Sequence, residues 1–395
     1  MAGTGARALD VPGRATKGWR ILLYGTLGTN PDTAAAEADA GVRMAMLEVY
    51  WDRFEPRQNV VNQAYATDVK TAQRAYQEAG LSVTLGLDMA SPPSWVFGLA
   101  DSYYINKDGQ QAAEPAFVFS NPVRKAAAYF MARVADAVPF SNFVAARITS
   151  GGNGEMLYPD NGPWAFSSPA LTGRNLPAGM TANPFPRWKP GHAGITEAQV
   201  DQWVNWYVGG LVNVTQWAMN TCDGLGFRGY FMPVTPGSGT RPSDLAASAA
   251  NYLAGDDTTA VGAVWHRYYA GLPNKSRVIA YVSSVADGSG NDDCTLATDV
   301  SVPLSSPDMD GWSAARWITR IAHEYRLAGI AGENPGYGAS PELDERYVDT
   351  SADGMMATAL RQAKASGFTA FYWAHDARLW DGTVPFGAYA TMINS

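Results

Sequence analysis

Eight short segments rich in β-branched, leucine or aromatic residues recur along this chain of 395 residues, separated by loops and helical patterns. The strand-like segments are Arg20–Thr26, Met44–Tyr50, Ser82–Leu87, Ala145–Ser150, Phe227–Met232, Val278–Ser283, Gly329–Gly332 and Phe368–Trp373. The helical patterns are Asp32–Ala40, Thr67–Ala79, Asn121–Val138, Thr196–Asn220, Val261–Ala270, Ser313–Leu327 and Ala352–Ser366. Eight strands alternating with helices predict an α/β protein built as a (β/α)8 barrel.

A doubly wound open sheet is the alternative architecture for this order of elements. No Gly-x-Gly-x-x-Gly fingerprint follows the first strand-like segment and no phosphate loop is present, so the barrel is favoured. Residues 1–18 are small, polar and basic, which indicates a disordered leader without the apolar run of a signal peptide. We therefore predict one barrel domain over residues 19–395.

Three of the connections that follow predicted strands are long. They come after the third, fourth and sixth strands and cover Asp88–Asn121, Glu155–Ile195 and Ser284–Trp312. In (β/α)8 barrels the loops that lead from strand to helix build the active face. The chain therefore places its extra length where a substrate is expected to bind.

The composition excludes several classes of partner and favours one. The net charge is −8 and basic residues do not cluster, so we expect no nucleic acid partner, and no apolar run is long enough to predict a membrane span. The chain carries 13 Trp and 19 Tyr, which either fill a large core or stack on sugar rings. We expect an oligo- or polysaccharide partner and a secreted or cell-surface location.

The cysteines and histidines give no sign of a metal site or a cofactor. The two cysteines, Cys222 and Cys294, belong to no zinc-binding spacing, and the four histidines are scattered. The sequence leaves open whether Cys222 and Cys294 form a disulfide. No cofactor and no metal are expected.

Two glutamates are the strongest chemical signal in the sequence. Glu155 follows the fourth predicted strand and Glu333 follows the seventh, each in a glycine-rich context. In a closed barrel these strand ends lie on roughly opposite sides of the mouth, with space between them for a sugar ring. A pair of carboxyl groups in that arrangement can cleave a glycosidic bond, with one protonating the leaving oxygen and the other attacking or activating water.

The same residues resemble a clan of retaining (β/α)8 glycoside hydrolases that includes family 42 β-galactosidases and family 5 glycanases. Glu48-Val-Tyr-Trp-Asp-Arg-Phe-Glu-Pro56 looks like the second-strand motif of family 42, and Gly329-Ile-Ala-Gly-Glu-Asn334 looks like its nucleophile strand. Trp373, at the end of the eighth predicted strand, resembles a tryptophan that the clan carries at the same place. The resemblance implies cleavage of β-linked sugars such as galactosides, with Glu155 as acid/base and Glu333 as nucleophile.

One departure from that clan keeps the stereochemistry open. The clan usually places Asn directly before its acid/base, whereas here Gly154 intervenes and Asn153 stands one residue further back. The run Gly154-Glu-Met-Leu-Tyr-Pro159 instead resembles the acid segment of family 14 β-amylases, which invert configuration. Two alternatives to a retaining glycosidase therefore stay open: an inverting β-amylase-like hydrolase of glucans, and a barrel that binds carbohydrate without catalysis.

Further residues near the predicted strand ends are candidates for binding the substrate. Asp88 either bonds sugar hydroxyls or forms a local turn, Trp164 either lines a subsite or fixes its loop, and Trp373 is the expected floor of the first subsite. A tyrosine near a nucleophilic carboxylate helps to keep it ionised, and Tyr337 is the candidate for that role beside Glu333. The full set of predicted binding residues is Tyr50, Trp51, Asp88, Asn153, Trp164, Asn334, Tyr337, Trp373 and His375.

Overall fold

Eight parallel strands close into a barrel in the computed structural model, which describes residues 22–150 and 154–395. The predicted leader, residues 1–18, lies outside the described residues. In chain order the strands are β1 (Leu23–Thr26), β2 (Met44–Tyr50), β3 (Ser82–Asp88), β4 (Tyr103–Ile105), β5 (Gln111–Pro115), β6 (Ala145–Ile148), β7 (Tyr230–Thr235), β8 (Ile279–Val282), β9 (Gly329–Glu333) and β10 (Ala370–Trp373). Strands β4 and β5 form a separate antiparallel hairpin, and the other eight form the barrel with β1 closing against β10. The predicted (β/α)8 barrel is confirmed.

Helices follow the barrel strands and cover the outside of the barrel. They are α1 (Ala34–Asp39), α2 (Trp51–Phe54), α3 (Gln63–Glu78), α4 (Asn121–Ala137), α5 (Ser168–Thr172), α6 (Glu197–Gly224), α7 (Pro242–Ala250), α8 (Asp257–Ala260), α9 (Trp265–Gly271), α10 (Ala314–Glu324), α11 (Pro341–Val348), α12 (Met355–Ala365) and α13 (Phe386–Ile393). Each of the seven helical patterns read from the sequence corresponds to one of these helices, apart from shifts at the ends.

Local sequence explains where the longest helix begins and why another ends early. The Thr196 side chain accepts a hydrogen bond from the Gln199 backbone N–H, and the Gln199 side chain accepts one from the Thr196 N–H, so a capping box starts α6. Helix α10 was predicted to reach Leu327 but stops at Glu324. Arg326 adopts a left-handed φ of 53°, which a continuing right-handed helix does not accommodate.

The fifth barrel strand is displaced from its predicted position. We expected Phe227–Met232, whereas β7 covers Tyr230–Thr235 and continues through Pro233, a residue that usually ends or interrupts a strand. The register pairs Pro233 with Ile148 of β6. The observed strand ends three residues later than predicted, nearer the barrel mouth, where the Val234 carbonyl accepts a hydrogen bond from the segment that carries Glu155.

Side-chain alternation divides the barrel residues into an inner and an outer set. The residues that fill the inside form one small apolar cluster: Met44, Ala145, Met232, Val234, Ile279, Tyr281, Ala331, Ala370 and Tyr372. Their strand neighbours, such as Ala146, Ile330 and Phe371, join the large core between barrel and helices. Since successive strand residues face opposite sides, this alternation fixes which polar side chains point into the mouth.

The long loops lie where the sequence placed them. The connection after β3 contains the β4–β5 hairpin, the one after β6 contains α5, and the one after β8 contains short 3-10 turns. The connection after β7 also holds two helices that the sequence analysis missed, α7 and α8.

Two further features of the described chain concern its cysteines and its helices. Cys222 is buried in α6, Cys294 is partly exposed, and both are free thiols.

No described helix combines the length and the apolar character that crossing a membrane requires.

Candidate active site

Ionisable side chains occupy inward-facing positions near the carboxyl ends of the barrel strands. Arg147 is two residues beyond the inward Ala145 on β6, and Glu333 is two beyond Ala331 on β9. Glu48 and Asp88 occupy inward positions on β2 and β3 by the same alternation. Strand parity therefore brings three carboxyl groups and one guanidinium to the barrel mouth.

Both carboxylate oxygens of Glu333 have a fixed partner. The Tyr281 hydroxyl donates a hydrogen bond to Oε2 at 2.5 Å, and the Arg147 guanidinium contacts Oε1 at 3.2 Å. Glu333 is only 8% exposed. Burial raises the pKa of its carboxyl above the usual range, while Arg147 and the Tyr281 hydrogen bond oppose that rise.

The residue before Glu333 has to be very small. A Cβ on Gly332 would lie 2.6 Å from the Val282 carbonyl oxygen and 2.9 Å from the Phe368 ring. The glycine therefore lets β9 approach its neighbouring strand while Glu333 turns inward. The glycine-rich context read from the sequence has a packing role at this position.

Glu155 is positioned by hydrogen bonds on both sides of it. The Ser150 N–H donates to the Glu155 carbonyl at 2.9 Å, and the next residue, Met156, donates from its N–H to the Val234 carbonyl of β7 at 2.7 Å. The Glu155 side chain accepts a short hydrogen bond from the Ser283 hydroxyl, just beyond β8. The segment is thus fixed at the mouth although it belongs to a long loop.

The two glutamates differ in their electrostatic surroundings. Burial, opposed by the Ser283 hydrogen bond and reinforced by the nearby charge of Glu333, raises the pKa of Glu155 to about 7. Glu333 has a direct guanidinium contact, whereas no described cation contacts Glu155. This difference suits one carboxyl that holds a proton near neutral pH and one that gives it up more readily.

The tyrosine beside Glu333 is not the one that we predicted. Tyr337 packs edge-on against Tyr347, with ring centroids 5.5 Å apart, and Arg378 lies 4.9 Å from the centre of its ring. The hydroxyl that bonds Glu333 belongs to Tyr281, which is adjacent in space because β8 pairs with β9. The predicted role for Tyr337 is therefore wrong.

His375 lies near the site, as expected from its place after the last barrel strand. The side chain is exposed, its Nδ1 lies 2.9 Å from the Tyr337 carbonyl oxygen, and its charge lowers the pKa of Glu333. It remains a candidate for substrate contact.

Two tryptophans expected to stack on sugar are buried in the outer core. Trp51 is 0% exposed and stacks on Phe130 with centroids 5.4 Å apart. Trp373 is also 0% exposed and packs against Tyr347 at 4.8 Å. Both predictions are wrong in this structure, because these side chains point away from the barrel interior and leave no ring face for a ligand.

Asn334 is a structural link rather than a contact for substrate. Its side-chain oxygen accepts a hydrogen bond from the Ala374 N–H at 2.9 Å, and its amide donates to the Pro335 carbonyl at 2.8 Å. The side chain is buried and ties the end of β9 to the end of β10. The prediction that Asn334 binds sugar is contradicted by these contacts.

Tyr50 and Asp88 stay at the rim of the mouth, where the register pairs them directly. The Arg53 guanidinium lies 4.7 Å from the centre of the Tyr50 ring, so one face of that ring is covered. Asp88 forms the local turn that the sequence left open, because its Oδ1 accepts hydrogen bonds from the N–H groups of Ala90 and Ser91. Its second oxygen is not used in that turn.

Trp164 fixes its own loop, which was one of its two predicted roles. It is 3% exposed, and its indole N–H donates to the Pro159 carbonyl at 2.6 Å. It offers no open ring face for a sugar. Asn153, predicted to bind substrate, lies outside the described residues.

The family-like motif on the second strand is mainly structural. Glu55 is buried and accepts hydrogen bonds from the Trp51 indole at 3.2 Å and from the Asn59 N–H at 2.7 Å. Its Glu-Pro pair closes the turn after α2. The residues of that motif that face the mouth are Glu48 and, at its rim, Tyr50.

Four residues of the site were missed in the sequence: Glu48, Arg147, Tyr281 and Ser283. The alternation of side chains along a strand could have indicated Arg147, because this residue interrupts an apolar run two positions after Ala145 and so faces the same side. The partners themselves depend on strand register, and the sequence alone does not give that register.

The described residues, 22–150 and 154–395, contain no group of three or more His, Cys, Asp or Glu side chains arranged to hold a metal ion.

The fold and the site together define a closed parallel barrel with an acidic mouth, where the largely buried Arg147 pairs with Glu333. Many solved structures share this fold, among them two β-galactosidases and an endoglucanase. The chain is similar to a β-galactosidase of the psychrophilic Marinomonas ef1 at 12% identity and a TM-score of 0.54, covering 89% of this chain and 54% of that one. It is also similar to a β-galactosidase of the haloarchaeon Halorubrum lacusprofundi, with 12% identity, a TM-score of 0.54, and coverage of 89% and 52%. A broad-specificity endoglucanase of group GH5-4 from an uncultured bacterium gives 14% identity, a TM-score of 0.51, and coverage of 94% and 85%.

At these identities the likeness concerns the fold. The chain spans about half the length of the two β-galactosidases. No protein-family model matches the sequence, and no curated protein matches it.

Proposed function

We propose that this protein is a glycoside hydrolase that cleaves β-glycosidic bonds with retention of configuration. Glu333 is the nucleophile and Glu155 is the acid/base. The observation that carries the proposal is the different treatment of the two carboxyl groups at one barrel mouth: Glu333 has a guanidinium and a phenol on its two oxygens, while Glu155 has a pKa raised to about 7.

The chemistry follows from those contacts. Glu155 protonates the glycosidic oxygen as the bond to the anomeric carbon breaks, and Glu333 attacks that carbon to form a glycosyl-enzyme. Arg147 and the Tyr281 hydroxyl favour the ionised form of Glu333 before attack, against the effect of burial. Glu155, now deprotonated, accepts a proton from water while the water oxygen attacks the anomeric carbon, and the bond from that carbon to Glu333 breaks to give the free sugar and the Glu333 carboxylate.

The fold comparisons support the same class of reaction by analogy only. Two of the structures with this fold are called β-galactosidases and one is called an endoglucanase. Their names favour a β-linked sugar as substrate. The secreted or cell-surface location expected from the sequence is compatible with a substrate of that kind.

The experiment is proton NMR of hydrolysis, recorded with a panel of 4-nitrophenyl α- and β-glycosides. A retaining enzyme acting on β-glycosides releases the β-anomer first, and mutarotation follows more slowly. If the first-formed sugar has the configuration opposite to that of the glycoside cleaved, such as a β-anomer released from an α-glucoside, the mechanism is inverting and β-amylase-like. No hydrolysis across the panel, together with measurable binding of oligosaccharides, identifies a carbohydrate-binding barrel without catalysis.

A further inference from the structure

Two carboxyl groups at the mouth, those of Glu48 and Asp88, have no cationic partner in direct contact within residues 22–150 and 154–395. Resting on the function proposed above, we propose that the sugar bound at this mouth carries a free, protonated amino group, and that Glu48 and Asp88 bind this ammonium. The substrate class is then a β-glycoside of an amino sugar.

Asp88 has one oxygen available for a ligand. Its Oδ1 is held by the Ala90 and Ser91 N–H groups at 3.0 and 3.2 Å. These two donors fix the orientation of the carboxylate on the rim. No described group donates to Oδ2, so the acceptor that remains is held rigidly at the mouth.

Glu48 lies beside Asp88, one inward position deeper on the adjacent strand. The register pairs Glu48 with Gly86 and Tyr50 with Asp88. A Cβ on Gly86 would stand 3.3 Å from Glu48 Oε1, so the glycine leaves room for the carboxyl. Within the described residues, no side chain or backbone N–H donates a hydrogen bond to the carboxyl group of Glu48.

Arg147, a largely buried cation at the mouth, already pairs with Glu333. The Arg147 guanidinium contacts Glu333 at 3.2 Å and the Met46 sulfur at 3.4 Å, and its Nε is buried without an acceptor. Burial raises the pKa of Glu48, the charge of Arg147 opposes that rise, and the charges of Asp88 and Glu333 add to it. A second nearby cation, Arg53, covers the Tyr50 ring, and the exposed His375 lies on the Glu333 side.

Of the carboxyl groups at the mouth, only Glu333 therefore has a cation in direct contact among the described residues. An ammonium supplies both a positive charge and three N–H donors to acceptors that lack donors. A sugar hydroxyl supplies one donor and no charge. A bound metal ion is disfavoured because Ca²⁺ takes six to eight oxygen ligands, and the described residues gather no cluster of three acidic or other metal-binding side chains.

The test compares substrates that differ only in the amine. For the gluco and galacto series, kcat/KM is measured with 4-nitrophenyl 2-amino-2-deoxy-β-glycosides, their 2-hydroxy analogues and their N-acetyl derivatives, at several pH values. We expect the free-amine substrate of one series to exceed its hydroxyl analogue by about tenfold or more, because a charged hydrogen bond discriminates at that level. The N-acetyl derivative, which keeps the nitrogen but loses the charge, is expected to lose this advantage.

Two variants and one control locate the effect. Glu48→Gln and Asp88→Asn each remove one charge while keeping a similar shape, and the amine-to-hydroxyl ratio of kcat/KM is expected to fall about tenfold in each. Asp52→Asn removes an exposed carboxylate from the neighbouring helix α2 and is expected to leave the ratio unchanged.

The outcomes separate this inference from the proposed function. Hydrolysis of neutral glycosides without preference for the amine, or a preference that survives in both variants, overturns the ammonium site and leaves the glycosidase assignment intact. If no glycoside of any kind is cleaved, calorimetric titration with glucosamine, galactosamine, glucose and galactose decides. Tighter binding of an amino sugar that is lost in Glu48→Gln then supports the site, and equal or absent binding overturns it.

Discussion

Tyr281 and Ser283 stand two positions apart along the sixth barrel strand and its extension, and their hydroxyls donate hydrogen bonds to two different carboxylates. Tyr281 bonds Glu333 and Ser283 bonds Glu155. Residues two apart on a strand face the same side, at a spacing of roughly 6.6 Å. One strand thereby orients both members of the proposed catalytic pair, although the glutamates belong to different elements.

Replacing Glu333 by Gln is expected to abolish turnover and to leave the fold intact. A neutral amide can neither attack the anomeric carbon nor activate water, so kcat should fall by about 10³-fold or more. Steady-state rates and a thermal melt measure the two effects. Glu78→Gln, an exposed residue at the end of α3, is the control. A Glu333→Gln enzyme that keeps about a tenth of the wild-type rate removes this residue from the mechanism.

Replacing Glu155 by Ala is expected to slow hydrolysis according to the leaving group. Poor leaving groups need protonation, whereas activated aryl glycosides need little, so the first class should lose far more in the glycosylation step. In a retaining enzyme, azide should rescue the variant and give a β-glycosyl azide from a β-linked substrate. Equal losses on both substrate classes and no azide product favour the inverting alternative.

The pH profile of kcat/KM should lose activity above about pH 7, because Glu155 has a pKa of about 7 and must be protonated to act as an acid. The Ser283 hydroxyl stabilises the ionised form of Glu155 and so lowers its pKa. Ser283→Ala should therefore move the alkaline limb to higher pH. An alkaline limb that stays in place, or one that moves downward, argues against Glu155 as the titrating group.

Stability should depend on pH through Asp376, a buried carboxyl outside the proposed catalytic pair. Its Oδ1 accepts a hydrogen bond from the Gly28 N–H at 2.7 Å, and burial together with the charge of Glu37 raises its pKa to about 7. Because the folded pKa lies above the unfolded value, the folded state holds the proton longer. The contribution of Asp376 to the free energy of unfolding is therefore fully present below about pH 4 and is lost as the pH rises toward 7.

Asp376→Asn keeps the acceptor for Gly28 and removes the ionisation. The free energy of unfolding should rise by roughly 1–4 kcal/mol at pH 8 and much less at pH 4, since one pKa unit corresponds to about 1.4 kcal/mol. Denaturant melts at the two pH values measure this difference. An equal change at both pH values contradicts the proposed ionisation.

Trp373→Phe tests the assignment of that residue to the core. The ring is fully buried against Tyr347 and Tyr389, so the smaller side chain should cost about 1–3 kcal/mol of stability. KM should change by less than about twofold, because no ring face reaches the substrate. A large rise in KM without loss of stability returns Trp373 to the floor of a subsite.

The sequence alone determined the order of elements and the general place of the site. Eight apolar runs, their alternation with helices and the three long loops are local patterns of composition and spacing, so they can be read without contacts. Glu155 and Glu333 were likewise visible, because each follows a strand-like run in a glycine-rich context.

Only the tertiary structure decided which side chains meet at the mouth. Trp51 and Trp373 read as sugar-binding residues from their positions near strand ends, but strand parity and the closing of helices over the barrel direct both into the outer core. The pairing of β8 with β9 selects Tyr281 rather than the nearby Tyr337 as the partner of Glu333, and the length of the arginine side chain lets Arg147 reach it from β6. These contacts join residues far apart in the chain, so they depend on register and barrel closure, which local sequence patterns do not specify.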